Sequence, residues 1–499
     1  MSLAFYPGYW GVLAWVALAR PIMIVARLKG RQAFNAAYFF SFFFNLFSIY
    51  WVAMVTPPGM VAAVVIVAFY YTAVFMLFHR LYHIRPILAF VAMPFLWTGM
   101  EYFRTLSEFA FPWSDLGYTQ AYFLYVLQVV SVISVHGLTF LIVGVNVLLC
   151  QLLRRCLSPE RKLTSVFVSL AIVSSLTAYG WVVTPPYPVP GTIDVALMQG
   201  SVPIEVKWAK GNQEHSYRLY DSLARAVDDT TIDLYIWPET SAPSYLSHDQ
   251  KALKRVGGIA ATTSAPHLVG ALSASRSGGQ ARYHNACFQF DSTGRVVGQH
   301  DKMKLVPFSE HVPYQDHLTF LKKGALESYL TFIDQWGVRW WSDFYPGDSA
   351  RLFELGDHLY GALICFECTF PEFVRQSILD GADFMVGITN DTWFGRSVGI
   401  HQHSRMFITR AVENRCWMAR VANSGLTYVV DRYGRVRDEL ELYEVATLVS
   451  SVGVVDGYSV FTRFGDVVGR FSFLLTAVLS CIFITLWLAR KLLAIIWRR

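Results

Sequence analysis

Apolar runs long enough to cross a bilayer occupy both ends of this 499-residue chain, with an ordinary polar mixture between them. A spanning helix needs about 20 mostly apolar residues. Such runs fall near residues 9–27, 33–55, 58–78, 87–106, 121–153 and 163–183, then again near 471–489. So many in succession, with almost no charge inside, cannot all be core helices of one soluble protein. Arg20-Pro21 interrupts the first run, but proline is tolerated in a spanning helix. The 121–153 stretch exceeds one span, so it tilts or enters from an interfacial turn. No cleavable signal peptide is evident. The expected fold is a multi-pass α-helical membrane domain with about six N-terminal helices over residues 1–183, and a last helix and basic tail over 467–499.

Only 16% of the residues are charged and 54% are hydrophobic. A soluble domain carries about 25% charge, so a disordered chain and an ordinary soluble enzyme are excluded. The net charge of +6 is modest, and no nucleic-acid partner is expected. Seven scattered cysteines do not make a disulfide scaffold.

Position matters more than sum for the basic residues. They cluster at Arg27-Leu28-Lys29-Gly30-Arg31, at Arg80 and Arg85, at Arg154-Arg155 with Arg161-Lys162, and at Arg490-Lys491 and Arg498-Arg499. Thr56-Pro57-Pro58-Gly59, residues 105–120 and the start of the globular region hold few or none. The two kinds alternate, so basic loops face the cytoplasm and residues 184–470 face the other side. By parity the N-terminus is also outside. Glu101, Arg104, Glu108 and Asp115 read as solvated interface charges.

Residues 184–191, a Pro-rich linker, open the globular part, which runs over 192–466. Strands are expected at Ile193–Gln199, Ile232–Trp237, Leu268–Leu272, Cys287–Phe290, Leu359–Ile364, Phe384–Ile388, Trp417–Val421 and Thr427–Val430. A helix is expected over Glu205–Asp228, with Tyr217, Tyr220, Ala224 and Val227 on one face, and another closes at Glu413. This alternation predicts an α/β layered domain.

Three polar residues stand where strands end: Glu239, Lys302 and Cys365. A thiol ahead of a helix starting near Phe370-Pro371 is placed for attack, and helix N-termini and nearby cations lower a thiol pKa. A carboxylate can take the thiol proton, and a lysine can stabilise a tetrahedral oxyanion. Singly, each is an ordinary buried thiol or rim charge. Together they resemble the nitrilase superfamily, whose triad runs Glu-Lys-Cys. The membrane-embedded branch, the apolipoprotein N-acyltransferases, is the nearer likeness. The segments that carry it are Trp237-Pro238-Glu239-Thr240, Lys302 through Glu310, Ile364-Cys365-Phe366-Glu367 and Thr389-Asn390-Asp391-Thr392-Trp393-Phe394-Gly395, with Arg410 through Arg415 and Ala422-Asn423-Ser424-Gly425.

The resemblance implies an α-β-β-α sandwich, with Glu239 as general base, Lys302 as electrostatic stabiliser and Cys365 as acyl-carrying nucleophile. Glu310 matches a second acid of the site and Glu367 one beside the nucleophile, while Asn285 and Trp208 match pocket residues. It implies transfer of a fatty acyl group from a membrane phospholipid to the N-terminal amine of a diacylglyceryl-cysteine lipoprotein, without metal or organic cofactor. The setting it implies is the bacterial inner membrane, with the catalytic domain periplasmic. The alternatives are a membrane-tethered amidase acting on a small amide and a non-catalytic scaffold; the intact triad argues against the second. Ser309 and Phe366 stand where the family has mostly Gly and often Tyr, and Leu3 through Gly8 look like the end of a missing first helix. Cys365-Phe366-Glu367-Cys368 fits a redox spacing, but oxidation would destroy the nucleophile. His401 and His403 read as a surface pair, because i, i+2 on a helix does not converge on zinc. Lys304 competes with Lys302, and the motif register favours Lys302. Residues 314–347 are rich in large apolar side chains, among them Trp336, Trp340, Trp341 and Phe344, and read either as core or as a lid at the bilayer interface.

Overall fold

A computed structural model describes residues 1–154, 157–209, 211–227, 231–277, 279–315 and 343–496. The chain forms two compact units. One comprises Met1–Tyr50, Met60–Gly180 and Asp466–Arg499; the other comprises Trp51–Gly59 and Trp181–Gly465.

The first unit is helical. Among the described residues, six helices of the chain are long and apolar enough to cross a membrane: Tyr9–Arg27, Pro57–Ile84, Pro86–Phe103, Val130–Leu153, Pro159–Val183 and Val467–Ala489. Gly30–Ile49 is also an unbroken helix of 20 residues, but it is not one of the six. Two of its polar side chains bond back to the helix itself: Asn45 donates to the Ser41 carbonyl at 2.7 Å and Ser48 to that of Phe44 at 2.7 Å. The excess length of the 121–153 stretch is an entry turn, Leu124–Leu127, ahead of Val130–Leu149, which itself breaks at Ser134 with φ 69°.

Three charges expected at a solvated rim are instead buried. Glu101 and Asp115 are 0% exposed and Arg104 is 4% exposed. Arg104 Nη1 lies 3.2 Å from Asp115 Oδ1, and Nη2 reaches the carbonyls of Phe111 and Trp113. His136 lies between Asp115 and Asp466. Glu101 accepts from Trp97 Nε1 at 2.8 Å and from Thr139 Oγ1 at 2.7 Å. Charge in an apolar bundle turns inward and pairs, because lipid offers it nothing. Glu108, by contrast, is exposed.

The second unit carries thirteen strands among the described residues. They are β1 (Ile193–Gln199), β2 (Leu234–Ile236), β3 (Ala242–Tyr245), β4 (His267–Ser277), β5 (Gln280–Phe290), β6 (Val296–Asp301), β7 (Leu352–Leu355), β8 (His358–Ile364), β9 (Phe384–Thr389), β10 (Met418–Ala422), β11 (Thr427–Val430), β12 (Val436–Leu440) and β13 (Ala446–Val452). One sheet runs β13-β1-β2-β4-β5-β6, with β3 also on β4; the other runs β12-β11-β10-β9-β8-β7. The centre of each is parallel: β1-β2-β4 in the first and β8-β9-β10 in the second.

Strand alternation sorts the side chains into layers. Val195 and Leu197 of β1 join Ile236, Tyr360, Ala362, Ile364, Val386 and Val421 in a core between the sheets. Ala196 and Met198 face the other way and pack with Tyr235, Trp237, Tyr217, Tyr220, Val256 and Ile259. The last four lie on the helices Gln213–Arg225 and Gln250–Ala260. On the second sheet Gly387 is bare on the outer face because Phe407 of the helix Val398–Asn414 packs there; a Cβ would come within 2.3 Å of its ring. Helix, sheet, sheet and helix therefore stack as the expected sandwich.

The expected helix over Glu205–Asp228 is two helices, Ile204–Lys207 and Gln213–Arg225. Gly211, at φ 82°, turns the chain between them in a conformation that side-chain-bearing residues avoid. Strand Cys287–Phe290 is the buried end of the longer β5, whose first half is solvent-exposed and lacks an apolar signature.

Candidate active site

The sheet topology gathers strand ends into one place. Glu239 follows β2, Lys302 follows β6 and Cys365 follows β8. Gly270 in β4 lets the Pro238-Glu239 turn lie directly on the sheet, since a Cβ there would come within 2.2 Å of the Pro238 carbonyl. The Lys302 backbone N–H donates to the Asn285 carbonyl at 2.8 Å, extending the β5–β6 pairing by one step.

The side chains then interlock. Lys302 is buried, with Nζ 2.8 Å from Glu310 Oε1 and 3.5 Å from Glu239 Oε1. Asn285 Nδ2 donates to Glu239 Oε1 at 2.7 Å and to Glu310 Oε1 at 3.2 Å. The Asn390 backbone N–H donates to Glu239 Oε2 at 2.8 Å, and that of Val306 to Glu310 Oε2 at 2.8 Å. Burial by itself would lower the Lys302 pKa; Glu310, Glu239 and the Cys365 sulfur together raise it above the ordinary lysine range. A permanently charged ammonium is thereby fixed between two carboxylates and next to the thiol.

Cys365 opens the short turn Cys365–Thr369 with φ 50°, a left-handed conformation unusual for a side-chain-bearing residue. The expectation that the helix start and a cation lower its pKa is reversed. Burial raises the thiol well above its ordinary value, Glu239 adds to that, and Lys302 offsets only part of it. The raised value favours the neutral thiol, with Glu239 near enough to act on it electrostatically. Glu367 stabilises the turn behind it: Oε2 accepts the Ile364 N–H at 2.7 Å and Oε1 that of Met303 at 2.7 Å. Burial would raise the Glu367 pKa, but His300 and those N–H groups hold it below the usual carboxylate range.

Of the other expected residues, Trp208 is 37% exposed at the end of Ile204–Lys207. Lys304 lies over the Phe370 ring, 5.5 Å from its centroid, so Lys302 is the lysine between the carboxylates. Phe344 is tied to the site loop: its N–H donates to the Glu310 carbonyl at 2.9 Å, and its carbonyl meets His311 Nδ1 at 3.0 Å. Trp336, Trp340 and Trp341 lie outside the described residues.

Two features were not anticipated. Lys207 is buried, with Nζ 3.4 Å from the Glu239 carbonyl and 3.3 Å from Thr240 Oγ1. Burial lowers its pKa to about 8 against the opposing pull of Glu239. And His403 is no surface residue: it is buried and bonded to Asp391, which also binds Arg420. The signal was present in β10, where Arg420 stands inside the run Met418-Ala419-Arg420-Val421-Ala422 and so needs a buried partner.

A two-sheet sandwich presenting glutamate, lysine and cysteine at its strand ends is the arrangement of the nitrilase class, and residues 194–452 match the carbon-nitrogen hydrolase family model. Residues 1–148 match the model described as the apolipoprotein N-acyltransferase N-terminal domain. An apolipoprotein N-acyltransferase of Geobacter metallireducens is 33% identical, over 91% of this chain and 88% of its own. Enzymes of the same name from Chlorobaculum tepidum (28% identical, 94% of this chain and 91% of the other) and Pseudomonas putida (30%, 72% and 67%) are also similar. The chain belongs to the apolipoprotein N-acyltransferase family, the membrane branch of the nitrilase superfamily. It is an acyltransferase and, with its long apolar helices, a multi-pass membrane protein.

Proposed function

We propose that the protein moves a fatty acyl chain from a membrane phospholipid to the α-amino group of the lipidated N-terminal cysteine of a lipoprotein. Residues 192–466 form the catalytic domain after the linker 184–191, with membrane helices over 1–183 and 467–499. The domain faces the periplasmic side of the bacterial inner membrane. The observation that carries the chemistry is the Lys302 ammonium, held by Glu239 and Glu310 and electrostatically coupled to Cys365.

Glu239 takes the Cys365 proton as the sulfur attacks the donor ester carbonyl. The oxyanion is met by Lys302. The tetrahedral intermediate collapses to a thioester on Cys365, and the lysophospholipid leaves with a proton returned by Glu239. The acceptor amine then attacks the thioester, Glu239 takes the amine proton, and the amide product leaves a free thiol. Asn285 and the Asn390 N–H orient Glu239 between steps.

Mass spectrometry of a diacylated lipopeptide incubated with the protein and phospholipid vesicles tests this. The peptide gains one acyl chain on its amine and lysophospholipid appears in equal amount. An unchanged peptide, with the protein folded and phospholipid present, would refute the assignment.

A further inference from the structure

Asn390 and Asp391 are adjacent, and they serve the two sides of the candidate reaction centre. The Asn390 N–H holds Glu239. Asp391 Oδ1 accepts from His403 Nδ1 at 2.9 Å, and His403 Nε2 lies 3.2 Å from the carbonyl oxygen of Cys365. The same nitrogen lies 3.2 Å from Cys368 Sγ. Arg420 Nη2 binds Asp391 Oδ2 at 2.6 Å, and Thr389 Oγ1 donates to Oδ1 at 2.9 Å. The same Thr389 hydroxyl acts to lower the Cys365 thiol pKa. Thr389, Asp391, His403 and Arg420 are all buried. Gly425 makes room for the assembly, because a Cβ there would come within 2.5 Å of Asp391 Oδ2.

We propose that His403, anchored by Asp391 and Arg420, is a positioning residue for Cys365: it grips the nucleophile's own carbonyl and holds the left-handed turn that presents the thiol. It does not touch substrate. A side-chain-bearing residue at φ 50° persists only where its surroundings over-determine it. The bond to the Cys365 carbonyl fixes that residue itself, beside the Glu367 bonds behind the turn, and the Asp391 bond sets the ring's orientation as a carboxylate does behind a ligand histidine. Charge supports the same reading. Burial would lower the His403 pKa, but Cys368 and Asp391 raise it to about 10, a direction that favours the form donating from both ring nitrogens, to Asp391 and to the Cys365 carbonyl. The proposal rests on Cys365 being the nucleophile.

The test compares His403→Gln with His403→Asn in the full chain, assayed with phospholipid vesicles and diacylated lipopeptide. A glutamine amide nitrogen reaches the place of Nε2 and keeps the donor to Cys365; an asparagine amide reaches only the place of Nδ1 and keeps the link to Asp391. Misplacing a reacting group by about 1 Å lowers rates by about 100-fold. The Asn protein should therefore lose about 100-fold in kcat with KM within about twofold, while the Gln protein stays within about tenfold of the unsubstituted enzyme. Asp391→Asn, isosteric and neutral, is the third arm and should lower kcat about tenfold with KM unchanged. Equal kcat for the Gln and Asn proteins overturns the proposal, as does a loss confined to KM; if those two do not fold, unchanged kcat in Asp391→Asn overturns it. Acylation of Cys365 in the unsubstituted protein is followed in parallel: its absence refutes the nucleophile, whereas its presence with indifferent variants refutes only His403.

Discussion

Glu310 receives the Lys302 ammonium at 2.8 Å, closer than the 3.5 Å from that ammonium to Glu239. The lysine's charge is thus balanced mainly by a carboxylate pinned from behind by the Val306 N–H. In the proposed mechanism this leaves Glu239 available for the thiol proton. In Glu310→Gln the ammonium loses its nearer counter-charge and is drawn to Glu239, tying up the proton acceptor. General base catalysis contributes about 100-fold or more, so kcat should fall at least about tenfold while KM changes little. Initial rates on vesicles measure this; activity within about twofold of the parent would show that Glu310 only fills space.

Cys365→Ala should abolish acyl transfer and the acylated-enzyme mass peak together. Glu239→Ala should also abolish that peak, although the thiol remains, because its proton then has no acceptor at the site. Intact-protein mass spectrometry after phospholipid alone separates the two steps. An acyl adduct in the Glu239→Ala protein would move the base elsewhere, and turnover by Cys365→Ala would remove the thioester from the mechanism.

Legibility in the sequence followed burial. Strand β1 spans Ile193–Gln199 as its apolar pattern predicts, and Cys365 stands at the end of β8 as expected. Strands β3, β6, β7, β12 and β13 were not anticipated: β3 is short, and the others hold partly exposed, mixed residues, so all five depend on pairing with neighbours that a single segment does not reveal. The same applies to the polar networks. Glu101, Arg104 and Asp115 are close in sequence to a membrane end, but their partners Thr139 and His136 come from another helix. His403 looked like half of a surface pair because Asp391 and Arg420 reach it only through the fold.

The Arg104–Asp115 pair makes a prediction about stability. Its 3.2 Å contact is buried on both sides, and the guanidinium also serves Tyr71 Oη at 3.0 Å. Removing one partner of a buried pair leaves an uncompensated charge, at about 3–5 kcal/mol. Arg104→Met should therefore lower the melting temperature in detergent clearly, whereas Glu108→Gln, at an exposed position, should not. Equal melting temperatures for the two would mean that Arg104 is hydrated in solution.

Reporter fusions test the orientation. A reporter placed after Gly191 should register outside the cytoplasm, and one placed after Arg499 inside, because the basic clusters near Arg80, Arg154 and Arg490 lie on alternate connections. Both reporters on the same side would mean that the count of spanning helices is wrong, and a reporter after Gly191 that registers inside would contradict the proposed periplasmic placement of the catalytic domain.

The pH dependence of Cys365 alkylation distinguishes a resting thiol from a resting thiolate. Burial and Glu239 raise the Cys365 pKa, and Lys302 lowers it by less. Below that raised pKa the sulfur is protonated, and only the thiolate is nucleophilic. The rate with a small soluble reagent such as iodoacetamide should rise about tenfold per pH unit and reach no plateau by about pH 9. The substitutions have opposite signs. Glu239→Gln removes the anion that raises the pKa, so its alkylation profile shifts to lower pH even as acyl transfer is lost. Lys302→Met removes the cation that lowers it, so its profile shifts to higher pH. A plateau below about pH 8 in the unsubstituted protein would instead establish a resting Cys365 thiolate paired with Lys302, and would remove proton transfer to Glu239 from the first step.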